Sequence, residues 1–229
     1  MLSSCGLYKD YQPQQIDTKG LIREDLNADT TSSIASLKWE ELFTDPNLQS
    51  LIREGLEHNS DLAVAKLNID EAMASLGSAK GALMPTVDVA GSGNLSSYDG
   101  NKTTKTYSLG PEASWQIDVF GKLTNAKKAA AATVEERQAY AQAVRTQLIA
   151  AIAEYYYTLE TLDAKVKVTQ QTINSWTEYV GTQKALMKAG QATSSDVSQA
   201  EASKLSAETT LQQLYQQISQ TENSLCALI

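Results

Sequence analysis

Residues 85–119 read PTVDVAGSGNLSSYDGNKTTKTYSLGPEASWQIDV. In a chain otherwise written in helical heptads, this stretch alternates apolar and polar residues. Val87, Val89, Gly91, Gly93 and Leu95 fall on one side of the first run, and Thr86, Asp88, Ser92, Asn94 and Ser96 on the other. In the second run Tyr107, Leu109, Ala113, Trp115, Ile117 and Val119 alternate with Thr106, Ser108, Glu112, Ser114, Gln116 and Asp118. A period of two is that of a strand with two unlike faces, so an amphipathic hairpin is expected over 85–119. A lone hairpin is marginal in water. Its apolar face needs cover from a helix of the same chain, from other chains or from lipid, and that choice governs the function.

On either side the spacing is helical. Residues 1–38 are polar and rich in turn signals and read as an arm. Residues 39–84 read as a short helix followed by a heptad helix. Asp45-Pro46 is a helix start, with Asp as cap and Pro at the first helical position, and Leu48, Leu51, Ile52 and Leu56 follow on one face. His58-Asn59-Ser60 interrupts it. A second helix then carries Leu62, Ala65, Ile69, Ala72, Leu76, Ala79 and Leu83, the alternating three-and-four spacing of a coiled-coil seam. Residues 120–229 read as a long helical hairpin. Gly121 opens a helix without proline to Lys188, with a seam from Tyr140 and Val144 through Leu148, Ile152, Leu162 and Ile173 to Val180. Gly190 stops it, Ser194-Ser195-Asp196 caps a new start, and the last helix carries Ala200, Ala207, Leu211, Leu214, Ile218, Leu225 and Leu228. At its rise per residue the long helix spans about 100 Å, with two shorter helices stacked end to end beside it.

Composition narrows the function classes. The chain has 229 residues, a formal net charge of −8 and no basic cluster beyond Lys127-Lys128, which argues against nucleic acid as a partner. No run of about 18 apolar residues exists, so a bilayer is entered by strands or not at all. With one histidine and no HExxH, nucleophile motif or phosphate-cradling loop, the sequence nominates no catalytic residues, no metal and no cofactor. Cys5 and Cys226 lie at opposite ends and suggest neither a disulfide framework nor a zinc site. Cys226 is expected in the core of the last helix and His58 at the surface. Leu2-Ser3-Ser4-Cys5 resembles the processing box of bacterial lipoproteins, in which the cysteine is lipidated.

The hairpin itself favours lipid. Strands of about 13 residues exceed the roughly 9–11 tilted residues of a membrane strand. One polar and one apolar face suit a barrel with a wet lumen, and Tyr98, Tyr107 and Trp115 are residue types of interfacial girdles. The helices spend their apolar residues on narrow seams and have no broad face to offer the hairpin. Pro111 counts against a regular inner strand, although a bulge would accommodate it.

The order of elements resembles the TolC-like outer membrane factors, specifically the lipoprotein branch serving multidrug efflux pumps. The resemblance rests on the Leu-Ser-Ser-Cys5 box, Trp39-Glu-Glu-Leu-Phe-Thr-Asp-Pro-Asn-Leu48, Asn59-Ser-Asp-Leu62 and Leu83-Met-Pro85. It rests above all on Trp115-Gln-Ile-Asp-Val-Phe-Gly-Lys122, similar to the family's strand-to-helix junction, and on Lys188-Ala-Gly-Gln-Ala-Thr-Ser-Ser-Asp-Val197, similar to its periplasmic tip turn. The fold it implies is mainly α with one membrane β-hairpin, its long antiparallel coiled-coil helices continuing into a β-barrel contributed by several chains or repeats. In the family each protomer holds two repeats and three protomers form the barrel. This sequence matches the first repeat, and a fragment is expected.

The implied function is a passive exit duct of a tripartite efflux or export system, lipid-anchored in the outer membrane and extending into the periplasm. It performs no chemistry. Its partners are a periplasmic adaptor protein, an inner-membrane transporter, outer membrane lipid and further copies of the chain, a trimer when both repeats are present. Carried over residue by residue, Cys5 bears the lipid, Gly190, Thr193, Ser195 and Asp196 form the adaptor-docking tip in the turn 189–196, and Tyr107 and Trp115 meet the lipid interface. Asp88, Glu112 and Asp118, on the polar strand face, line the lumen. Two other readings stay open at this level, a periplasmic adaptor lipoprotein and a soluble coiled-coil scaffold.

Overall fold

In a computed structural model, residue 14 and residues 37–97 and 103–229 are described. The chain divides into two compact units, 1–42 and 43–229. Of the first, the described part contains one short helix, α1 (Trp39–Leu42). The second runs α2 (Pro46–His58), α3 (Ser60–Gly81), β1 (Thr86–Ser96), β2 (Thr104–Ser114), α4 (Lys122–Lys188) and α5 (Ser194–Cys226).

Each helix starts where the local chemistry satisfies its first N–H groups. The Asp45 carboxylate accepts from Asn47 N–H at 2.8 Å, with Pro46 needing no partner of its own. Asn59, in extended conformation, both ends α2 and caps α3 by accepting from Leu62 N–H at 3.0 Å. The helices pack through narrow seams. Leu62, Ala65 and Ala72 of α3 and Leu148, Leu162, Ile173 and Val180 of α4 are buried, as are Val197, Ala200, Leu211, Leu214 and Leu225 of α5. The frequent alanines let the helix axes approach closely.

The three large side chains that are completely buried lie together. Leu48 and Ile52 of α2 and Ile152 of α4 have 0% exposure. Gly55 leaves room for Ile152, whose Cδ1 would stand 2.5 Å from a Cβ built on the glycine. The end of α5 arrives at the same point, where Asn59 Nδ2 donates to the Leu228 carbonyl at 3.0 Å. Tyr156 of α4 donates to the Asp45 carboxylate at 2.6 Å. The last turn of α5 therefore meets the first turn of α3, and the two shorter helices stack end to end along α4 as the heptads predict.

Three expectations change. Tyr140, placed on the seam by periodicity, is 54% exposed, and its neighbour Ala141 is buried instead. Cys226 is exposed rather than in the core, because one residue beyond the buried Leu225 turns the side chain about 100° off the seam. The second strand ends at Ser114 rather than Val119. His58 is exposed, as expected.

Candidate functional site: hairpin, junction and helical tip

The hairpin is antiparallel and in continuous register from Thr86↔Ser114 to Ser96↔Thr104. Directly opposed residues share a face, so the pairs Val87↔Ala113, Val89↔Pro111, Gly91↔Leu109 and Gly93↔Tyr107 build one apolar surface. Pro111 sits in this register without a bulge. The two glycines lie under large partners: a Cβ on Gly93 would meet the Tyr107 ring at 3.3 Å, and one on Gly91 would meet Leu109 Cδ1 at 3.4 Å. This whole face is open, with Leu109 81% and Tyr107 75% exposed. Among the described residues, no helix covers it.

The other face is a polar ladder. The hydroxyls of Thr86 and Ser114 lie 2.9 Å apart, and those of Ser92 and Ser108 lie 2.7 Å apart. Asp88 and Glu112 are direct cross-strand partners on this face, so the structure brings together two of the three predicted lumen carboxylates. Asp118 is not with them. The chain turns after Ser114, and Asp118 Oδ2 accepts from Thr124 N–H at 2.7 Å. It caps α4, whose N-cap position is occupied by Gly121 at φ +73° with no side chain to contribute. Sequence alternation persisted through 119 and so assigned Asp118 to the strand. Capping three residues before a glycine was the competing signal.

Trp115, expected at the lipid interface, is 62% exposed and its indole N–H donates to the Leu83 carbonyl at 3.2 Å. That bond ties the exit of β2 to the end of α3, and no spacing in the sequence announces it. Ile117, Val119 and Phe120 continue the exposed apolar surface, Phe120 at 96%. Cys5 and Tyr98 lie outside the described residues.

At the opposite end of α4, Gly190 adopts φ +75°. Gly190 N–H donates to the Met187 carbonyl at 3.0 Å and Gln191 N–H to that of Leu186 at 2.9 Å. This pair of bonds is the Schellman arrangement, which a residue with a Cβ resists. The cap of α5 is Thr193 rather than Ser194. The Asp196 carboxylate accepts from Thr193 N–H at 2.8 Å, and Asp196 N–H donates back to Thr193 Oγ1 at 3.3 Å, a reciprocal capping box. The Thr193 backbone N–H, and then its hydroxyl, hold the Asp196 carboxyl below the usual carboxylate range. Ser195 lies exposed in the first turn. Just inside the tip, Lys184 of α4 reaches Glu201 of α5 at 2.7 Å.

Among the described residues, no helix is long and apolar enough to cross a membrane, and no group of three or more His, Cys, Asp or Glu is arranged to hold a metal.

A family model for outer membrane efflux proteins matches residues 51–229. A probable efflux pump outer membrane protein of Pseudomonas putida, TtgC, is 29% identical over all of this chain and 50% of its own length. The open state of the Neisseria gonorrhoeae MtrE outer membrane channel superposes with a TM-score of 0.80 at 26% identity, covering 95% of this chain and 50% of that one. A crystal structure of CusC gives a TM-score of 0.83 at 23% identity over 98% of this chain and 51% of that one, a likeness of fold. The chain spans about half the length of these relatives.

Proposed function

Because this chain belongs to the outer membrane efflux protein family, we propose that it forms part of a passive exit duct crossing the outer membrane and extending into the periplasm. The observation that carries the proposal is the hairpin. It presents a continuous apolar face that nothing among the described residues covers, backed by a hydroxyl and carboxylate ladder. Lipid on one side and water on the other satisfy both faces, as in a barrel wall. In this reading 85–119 is the membrane part, with Tyr107 and Trp115 at the lipid interface and Asp88 and Glu112 toward the lumen. Residues 120–229 form the periplasmic hairpin, 39–84 a short helix and a heptad helix, and 1–38 an arm anchored through lipid on Cys5.

Two hairpin strands cannot close a barrel, so neighbouring repeats or chains complete it. The tip formed by Gly190, Thr193, Ser195 and Asp196 meets a periplasmic adaptor that links the duct to an inner-membrane transporter. Its exposed turn is held by the Gly190 stop and the Thr193–Asp196 capping box. The duct performs no chemistry.

Membrane fractionation tests this reading. The protein should stay with the outer membrane through alkaline extraction, and a Cys5→Ala variant should lose incorporated radiolabelled fatty acid. Complete release into the alkaline wash would identify a peripheral scaffold instead.

A further inference from the structure

Beneath the apolar surface of the hairpin the charge of this acidic protein reverses. From Ala72 to Leu83 and from Val119 to Val134 there is no carboxylate, while Lys80, Lys122, Lys127 and Lys128 all fall within these segments. All four are exposed, and none is ion-paired among the described residues. The antiparallel packing that lays Ala72 and Ser75 beside Ala130 and Thr133 carries Lys80 to the level of Lys122–Lys128. The lysines therefore occupy one band about 10 Å deep along the helices. On α4 their spacing distributes them around the helix rather than along one face.

Directly above this band stand Met84, Trp115, Ile117, Val119 and Phe120, each between 62% and 96% exposed. Above them the apolar strand face runs about 26 Å from Val87 to Leu95, similar to the ~25 Å apolar band of outer-membrane barrels. Acidic residues bound the band at Asp118 on the hairpin side, where the carboxylate caps α4, and at Glu71 and Glu135 on the other. The vertical order among the described residues is apolar, with Asp118 at its lower border occupied in capping α4, then a band of lysines with no carboxylate inside it, then mixed.

We propose that Lys80, Lys122, Lys127 and Lys128 form a collar that binds the anionic phospholipid headgroups of the leaflet nearest the helices. The proposal rests on the membrane reading of the hairpin and names the lipid class its lower border recognises. Lysine stems lie along the apolar border while the ammonium groups reach the phosphates, and each such contact draws on the negative surface potential of the leaflet. The collar sets the depth at which the hairpin stops and the helices emerge.

The test is vesicle co-flotation of the full chain, comparing phosphatidylcholine with phosphatidylcholine containing about a third phosphatidylglycerol. The wild type should prefer the anionic vesicles by on the order of tenfold or more at low salt, with the preference shrinking at high salt. Lys→Gln at all four positions should remove the preference but keep binding to neutral vesicles, and Lys→Arg should retain it. Lys→Gln at Lys165, Lys167, Lys184 and Lys188, remote on α4, should leave it intact. Helicity by circular dichroism checks that every variant is folded.

A preference that survives in the collar glutamine variant, or that the remote variant loses equally, overturns the collar. So does a wild type that binds both vesicles alike, which leaves the membrane reading standing. Failure to bind either vesicle overturns both.

Discussion

The node where α2, α4 and α5 meet and the hairpin above it are built from similar apolar residues, yet they end in opposite environments. At the node Leu48, Ile52 and Ile152 are wholly buried, and polar bonds from Tyr156 to Asp45 and from Asn59 to Leu228 close its rim. On the hairpin Val87, Val89, Tyr107 and Leu109 remain open. The node satisfies its apolar residues within the chain, whereas the hairpin defers that to its surroundings. Folding stability in water and membrane affinity are thus separable properties, written in different residues.

The largest effect expected is at the node. Ile152→Ala removes the side chain on which α2 rests and should cost about 2–5 kcal/mol, read by denaturant unfolding of helical circular dichroism. Leu109→Ala should stay within about 0.5 kcal/mol in the same assay. Equal losses would show that the hairpin is held by the rod after all. The converse experiment works in the membrane. Leu109→Arg should weaken insertion by about 2–4 kcal/mol if that face meets lipid near mid-depth, while Ser108→Arg on the opposite face should insert almost normally. A reversed pair of results would assign the two faces the other way round.

Asn59 probes the rim. Its side chain caps α3 and also holds the end of α5. Asn59→Ala loses both and should cost about 1–2 kcal/mol by thermal unfolding. Asn59→Asp keeps the cap and loses only the donation to Leu228. A smaller loss for Asp than for Ala therefore separates the two bonds.

Much of this arrangement was legible in the sequence because it depends on local period. Heptads named the buried seam of α3 and α5 almost residue by residue, and alternation named both faces of the hairpin before any pairing was known. The start of α2 at Asp45-Pro46 and the glycine stop at 190 follow from residues a few positions apart. What periodicity missed depends on contacts it cannot see. Tyr156 and Asp45 are separated by 111 positions. Trp115 finds Leu83 across the whole hairpin. Tyr140 fits the heptad but falls where α4 packs through Ala141 instead. Asp118 alternates like a strand residue, yet the unsatisfied N–H groups of α4 claim it. The lysine band has no motif at all, because two of its segments meet only through antiparallel packing.

The tip offers the smallest and sharpest test, because its stability is local and titratable. Thr193→Ala removes the hydroxyl that accepts from Asp196 N–H and should cost about 1 kcal/mol. Asp196→Asn keeps the shape but removes the charge that Thr193 N–H and its hydroxyl stabilise. The folded-state pKa of Asp196 is depressed, so its contribution is complete above the ordinary carboxylate value of the unfolded chain. That contribution fades as pH falls through the lower folded value. The stability gap between wild type and Asp196→Asn should therefore be full near neutrality and close in acid. Hydrogen exchange of the first-turn amides of α5, followed against pH, reads this locally. The node carries its own depressed carboxyl, Asp45, held by the Tyr156 hydroxyl, so its protection also falls in acid, but Asp196→Asn should leave that fall unchanged. If Asp196→Asn altered the pH dependence of protection around Ile152 as much as that at the tip, the two ends of α4 would unfold as one unit.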